Sequence, residues 1–312
     1  MSENIAVVFP GQGSQSIGML DDYLTDWPIV KETVEEASSV LGYDLWDIIA
    51  NGPDEKLNQT EITQPAVLAA DIAIMRVMAQ QCMLKPFVFA GHSLGEYAAL
   101  VAAGAIEFTD AIKLVAERGR LMQNAVADGE GAMAAIIGLS DNVIVKICDD
   151  IASSTGEVVS AVNFNSPGQV VIAGNTSAVE KAIEALKEEG AKRAIQLPVS
   201  VPSHCALMKS AADEFGAFIQ TIEIKTPAVQ VIQNVEAKSY ENVDDIREAL
   251  VKQMYCPVEW THTIQIISDG ADAIVECGPG KVLSGLTRRI NKDVASYSLS
   301  TTESMQKFLD AM

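Results

Sequence analysis

The sequence predicts an α/β protein in which a smaller unit of ferredoxin-like strand order is inserted into a larger α/β domain. Two observations carry the prediction. Short apolar runs end in glycine turns at Ile5-Ala6-Val7-Val8-Phe9, at Pro86-Phe87-Val88-Phe89-Ala90 and at Ala273-Ile274-Val275-Glu276-Cys277, and the last two turns open into helical patterns. Between the second and third runs, the stretch from about Gly131 to Leu197 reads strand, helix, strand, strand, helix, strand. With 312 residues the chain is long enough for one large domain with an insertion, or for two domains. The boundaries read as 1–129 and 198–312 for the large domain and 130–197 for the insertion.

Taken in order, Ile5 to Phe9 is a buried strand, and Pro10-Gly11-Gln12-Gly13-Ser14-Gln15 follows it. A glycine-rich turn there either brings backbone N–H groups close to a ligand or is a plain tight connection. It is not a phosphate-binding Walker loop, because no Gly-Lys-Ser/Thr closes it. Ile29 to Leu41 and Gln64 to Met83 carry helical apolar spacing, the second long enough to be buried. Gly91-His92-Ser93-Leu94-Gly95 then stands between a strand and the helical pattern Glu96 to Ala103, the setting of a nucleophile elbow. Asp110 to Val126 is an amphipathic helix with Arg118 and Arg120 near its middle. Either arginine alone reads as a solvated face residue; one turned inward would select an acyl group bearing a carboxylate.

The inserted unit consists of the strand Gly131 to Ile137, a helix Asp141 to Ala152, strands Val158 to Val162 and Gln169 to Ala173 joined by the turn Asn165-Ser166-Pro167-Gly168, a helix Thr176 to Glu189 and a strand Lys192 to Leu197. The chain returns through Val199-Ser200-Val201-Pro202-Ser203-His204, where Pro202 disfavours helix and leaves His204 on a loop or at a helix start. A helix Leu207 to Ile222, a strand Val229 to Asn234, helices Asp244 to Tyr255 and Trp260 to Ile267, and a last glycine turn with a helix through Ile290 close the fold.

Composition narrows the function classes. The chain is 48% hydrophobic and 21% charged, the balance of a globular enzyme with a sizeable core. A formal net charge of −20 argues against nucleic acid or an anionic membrane as partner. The five cysteines (Cys82, Cys148, Cys205, Cys256, Cys277) and three histidines (His92, His204, His262) show no metal-ligand spacing, so no metal is expected. Met1-Ser2-Glu3-Asn4 lacks a basic leader region, and no membrane-spanning run is read, so a reducing cytoplasm is expected.

A serine hydroxyl needs a base and an oxyanion donor pair to act as a nucleophile at neutral pH. Ser93 at the elbow would find its base in His204, a better placed candidate than the helical His262. The N–H of Leu94 and an N–H from Gly11-Gln12-Gly13 are the natural donors. No acid between Ser93 and His204 stands at a strand end where a triad would require it, so a serine–histidine dyad with a neutral orienter fits better.

At this point Phe9 to Gln15, Gly91 to Glu96, Asn163-Phe164-Asn165-Ser166-Pro167-Gly168-Gln169 and Pro198 to His204 resemble, in order and over nearly the whole chain, the bacterial malonyl-CoA:acyl carrier protein transacylases of type II fatty acid synthesis. The resemblance implies an α/β-hydrolase-like core with an inserted ferredoxin-like subdomain. It implies Ser93 as the acylated nucleophile, His204 as its base, Gln12 and Leu94 as oxyanion donors and Arg118 as the partner of the malonyl carboxylate. It implies Gln253 as the residue whose backbone carbonyl orients the histidine, and a supporting packing role suits His92. The partners implied are malonyl-CoA and acyl carrier protein, with no cofactor, since CoA and phosphopantetheine are substrates, and a monomer is expected. An acidic carrier would need a local basic patch, for which Lys192, Arg193, Lys281, Arg288 and Arg289 are candidates. The rival readings are a thioesterase or esterase on the same elbow and a non-catalytic scaffold that presents carrier protein.

Overall fold

The computed structural model describes residues 4–199 and 201–312, so Met1 to Glu3 and the Ser200 of the last motif lie outside the described residues. The chain opens with strand β1 (Ile5–Phe9), followed by helices α1 (Pro28–Leu41), α2 (Leu45–Asn51), α3 (Asp54–Leu57) and α4 (Thr60–Gln81). Strand β2 (Val88–Gly91), α5 (Gly95–Ala102) and α6 (Phe108–Asn124) come next. The middle of the chain supplies β3 (Gly131–Ile137), α7 (Asp141–Thr155), β4 (Val159–Ser166), β5 (Gln169–Asn175), α8 (Thr176–Glu188) and β6 (Arg193–Gln196). The remainder is α9 (Lys209–Phe218), β7 (Gln230–Ile232), α10 (Val243–Gln253), α11 (Trp260–Ser268), β8 (Ala273–Glu276), α12 (Val282–Ile290), β9 (Ala295–Ser298) and α13 (Thr302–Ala311).

Two sheets organise these elements into a mixed α/β protein. The first has the order β7-β2-β1-β8-β9, and every neighbouring pair is parallel. Its central strand, β1, is wholly buried, which is why Ile5 to Phe9 is a continuous apolar run with no polar alternation. Parallel pairing puts the loops that leave β1, β2, β7 and β8 at one end of the sheet, where open α/β sheets hold their ligands. Phe9 pairs with Gly91, so the glycine loop after β1 and the elbow after β2 start side by side.

The second sheet is antiparallel, in the order β4-β5-β3-β6. Side chains alternate across it with a period of two. Ala132, Ala134 and Ile136 pack with Ile144 and Cys148 of α7 and Val179 and Leu186 of α8. Met133 on the other face joins Val171 and Cys205, so the sheet's second face turns toward the return segment that carries His204.

Two expectations need correction. Asn165 and Ser166 were expected in a turn, but β4 runs through Ser166 and only Pro167 and Gly168 turn. The reason is tertiary: the Phe164 N–H donates to the Val258 carbonyl at 3.0 Å and the Val258 N–H to Val162 at 2.8 Å, which keeps this stretch extended and ties the antiparallel sheet to the loop before α11. No membrane-length run was expected either, yet α4 is long and apolar enough by composition to cross a bilayer. Its apolar residues from Ile62 to Met78, the partly buried Met75 excepted, lie buried in the largest core cluster, among them Ala66, Val67, Leu68 and Ile74. Past Ile290, where the sequence pattern fades, β9 adds an edge strand, and Met305 and Phe308 of α13 seal the core beneath it.

Candidate active site

The elbow is built by close packing. A Cβ on Gly91 would lie 1.9 Å from the carbonyl of Gly95, and one on Gly95 would lie 2.1 Å from the Phe9 oxygen. Glycine is required at both positions because strand end, turn and helix start occupy one another's side-chain space. Ser93 between them has φ +52°, a conformation that costs a non-glycine residue free energy and persists only when its surroundings enforce it. Asn234, two residues past the end of β7, does so: its Oδ1 accepts from the Ser93 N–H at 2.7 Å, and its Nδ2 donates to the Gly91 carbonyl at 2.7 Å.

His204 also has a positive φ, +65°, and is buried. Its Nε2 lies 2.8 Å from Ser93 Oγ and its Nδ1 lies 2.6 Å from the Gln253 carbonyl oxygen. A carbonyl only accepts, so the ring proton resides on Nδ1, and the Nε2 lone pair faces the serine hydroxyl. No carboxylate contacts the ring among the described residues; a neutral carbonyl orients it. Burial, and after it the Arg118 guanidinium, lower the histidine's pKa to about 3. The imidazole is therefore neutral throughout the ordinary pH range.

Of the two arginines on α6, Arg118 is the inward one, 1% exposed. Its Nη1 donates to Gln64 Oε1 at 2.8 Å, its Nη2 to Gln253 Oε1 at 2.9 Å and to Ser93 Oγ at 3.3 Å, and its guanidinium stands over the Tyr97 ring. These partners are neutral, and its Nε has none among the described residues. A buried guanidinium solvated by amides and a ring face is ready to exchange them for an anion. Arg120, two residues on and so on another face of the helix, is exposed and pairs with Glu117.

Gln12 and Leu94 line the same cavity of about 460 Å³ as Ser93, His204, His92 and Arg118. Among the described residues neither of their main-chain N–H groups has an acceptor in the fold. Gly11 sits so close to the elbow that a Cβ there would meet the His92 oxygen at 2.4 Å. Met122, Met133, Val171, Leu197, Val199 and Val201 form the apolar wall. A groove of about 680 Å³ between Ile137 and Lys192 is larger, but neither Ser93 nor His204 lines it.

His92 packs its ring edge against Trp260, and its Nε2 bonds Asn165 Oδ1 at 2.8 Å, consistent with a supporting role. His262 is exposed on α11. The candidate basic residues fall into separate places. Lys192 lines the larger groove beside Leu139 and Asp141, and the exposed Arg193 follows it. Lys281 and Arg288 share a surface cleft with Lys307, while Arg289 reaches Gln169 on the antiparallel sheet. Among the described residues no group of three or more His, Cys, Asp or Glu is placed to hold a metal ion.

Residues that the sequence did not single out complete the site. Glu96, Asn234, Gln64 and the side chain of Gln253 all hydrogen-bond within it. Only Glu96 carried a signal, being the residue that follows the elbow; Asn234 joins it from 141 positions away.

Residues 6–305 match the family model of the acyl transferase domain. The malonyl CoA-acyl carrier protein transacylase of Haemophilus influenzae is 55% identical over 304 residues, covering 97% of each chain. The solved acyl carrier protein S-malonyltransferase of Vibrio cholerae is 54% identical, with a TM-score of 0.95 over 98% of this chain and all of that one. A malonyl-transacylase solved in complex with its type II PKS acyl-carrier protein is 51% identical, with a TM-score of 0.97 over 99% of this chain and all of that one.

Proposed function

Because this chain belongs to the malonyl CoA-acyl carrier protein transacylases of the acyl transferase family, we propose that Ser93 carries the acyl group as malonyl passes from CoA to the carrier's phosphopantetheine thiol. The transfer itself is the family's activity. The observation that carries the assignment of residues is the serine oxygen's double contact, 2.8 Å from a neutral imidazole nitrogen and 3.3 Å from a buried guanidinium without an acidic partner.

In this reading Ser93 Oγ attacks the thioester carbonyl while His204 Nε2 takes its proton. The oxyanion forms against the N–H groups of Leu94 and Gln12. The C–S bond breaks, the imidazolium returns the proton to the CoA sulfur, and a malonyl-serine ester remains. The carrier thiol then gives its proton to His204 and attacks that ester, and the proton passes back to Ser93 Oγ. Arg118 pairs with the malonyl carboxylate by charge-assisted bonds, giving up amide partners that a neutral acyl group could not replace. Gln253 holds the imidazole tautomer through its carbonyl. The reaction needs no cofactor.

The antiparallel sheet's order and its two helices on one face support reading 130–197 as a ferredoxin-like insertion in an α/β-hydrolase-like domain of residues 1–129 and 198–312. A reducing cytoplasm fits five unpaired cysteines, and the acidity of the chain disfavours nucleic acid and anionic membranes as partners. Intact mass after incubation with malonyl-CoA and no acceptor tests the mechanism. A malonyl adduct that maps to Ser93 and is absent from S93A is expected; steady CoA release with no adduct would overturn it in favour of hydrolysis.

A further inference from the structure

We propose that Glu96 is a positioning residue for this transfer: one buried carboxylate onto which the serine turn, the histidine's carbonyl partner and the arginine are all tied. Glu96 is in the first turn of α5 and has no exposed surface. Its Oε1 accepts from Gln233 Nε2 at 3.0 Å, and its Oε2 accepts from the Asn234 N–H at 2.8 Å and Gln253 Nε2 at 2.9 Å. Every partner is a donor, and these bonds and the nearby Arg118 favour the ionised form against the burial that raises its pKa.

Two of these bonds lead to groups of the reaction. Asn234, fixed through its backbone, holds the Ser93 N–H and the Gly91 carbonyl with its side chain. Gln253, fixed through its amide, also donates from Nε2 to the Ser93 carbonyl, accepts from Arg118 at Oε1, and accepts from His204 Nδ1 at its own backbone carbonyl. The negative charge faces Arg118 across that amide and offsets part of its field without touching it. A carboxylate in direct contact would occupy the guanidinium and compete with an acyl carboxylate. Held one amide away, it leaves those donors to the substrate and keeps the frame neutral.

The inference rests on Ser93, His204 and Arg118 acting as proposed; that reading fails on its own terms if the wild-type chain forms no malonyl adduct at Ser93, a measurement that leaves Glu96 untouched. E96Q keeps the shape, removes the charge and turns one acceptor into a donor that faces donors. We expect its kcat to fall on the order of 10- to 100-fold, the cost of a misplaced reacting group. In the S93A background, which binds without reacting, E96Q should tighten malonyl-CoA binding by about threefold or more, because the guanidinium loses its counter-charge, and leave acetyl-CoA binding unchanged. A general loosening of the site would weaken both. Wild-type kcat in E96Q, or a lower kcat with weaker malonyl-CoA binding, would overturn the proposal. Should E96Q fail to fold, E96D decides: kcat lowered with malonyl-CoA binding to S93A/E96D unchanged supports it, and wild-type kcat or weakened binding sinks it.

Discussion

Replacing Arg118 with alanine should both erase the preference for a carboxylate-bearing acyl group and raise the basicity of His204. The two contacts on Ser93 Oγ, 2.8 Å from the imidazole and 3.3 Å from the guanidinium, put the positive charge no more than about 6 Å from the ring. At an effective dielectric of about 20, a unit charge at that distance disfavours protonation by roughly 2–3 kcal/mol, or about 2 pH units. The sign follows directly. His204 acts only when neutral, and its pKa of about 3 leaves it so at all working pH values. Without Arg118 that value should climb toward about 5 and protonation should silence the base below it. Acetyl-CoA is the substrate for the assay because it has no carboxylate to lose. Acetylation of Ser93, followed by acid quench and intact mass from pH 4 to 8, should stay level in the wild-type chain and fall by half near pH 5 in R118A. An R118A profile level down to pH 4 would refute the electrostatic coupling. A malonyl preference that survives in R118A would move the carboxylate site to another cation, Arg120 foremost.

Two further perturbations test other parts of the molecule. Charge reversal at Arg288 and Arg289 should raise KM for acyl carrier protein and leave KM for malonyl-CoA in place, as steady-state kinetics would read; an unchanged carrier KM would remove both from the docking surface. Asp71, buried in α4 with no hydrogen-bond partner for either oxygen among the described residues, has its pKa raised well above the carboxylate range by burial and then by Glu276. Its folded state therefore keeps a proton that the unfolded chain releases above about pH 4, so its contribution to stability falls as pH rises. D71N should raise Tm at pH 8 and show a smaller gain at pH 5, by thermal melting; an equal gain at both pH values would sever the link to ionisation.

Much of the site was legible because its elements are local. The elbow needs small residues within five positions of one another, and the clash distances at Gly91 and Gly95 show why the pattern is so strict. The βαββαβ order came from period-two and helical spacing in consecutive segments, and the observed strands differ from it mainly where β4 gains a second neighbour in Val258. Reading past Ile290 failed because Ala295–Ser298 is a partly exposed edge strand with no apolar run to announce it. Asn234 and the Gln253 side chain were invisible for a different reason. Amides at the ends of a short strand and a helix look like any others until the fold places them against Ser93.

By itself the sequence pointed to Ser93 and His204 as candidate nucleophile and base, to the βαββαβ order of the middle segment and to the likeness to the malonyl transacylases, because each depends on residue types at short or fixed spacing. The spacing on α6 left Arg118 and Arg120 equivalent and the likeness pointed to Arg118; the tertiary structure supplies the reason, since Arg118's side of α6 meets the core and Arg120's does not. The likeness also pointed to the Gln253 carbonyl as the orienter of His204; only the tertiary structure decided that Glu96, Asn234 and the Gln253 side chain bind the parts into one frame. Those are contacts between residues far apart in the chain, and their strength comes from burial, which no local pattern encodes.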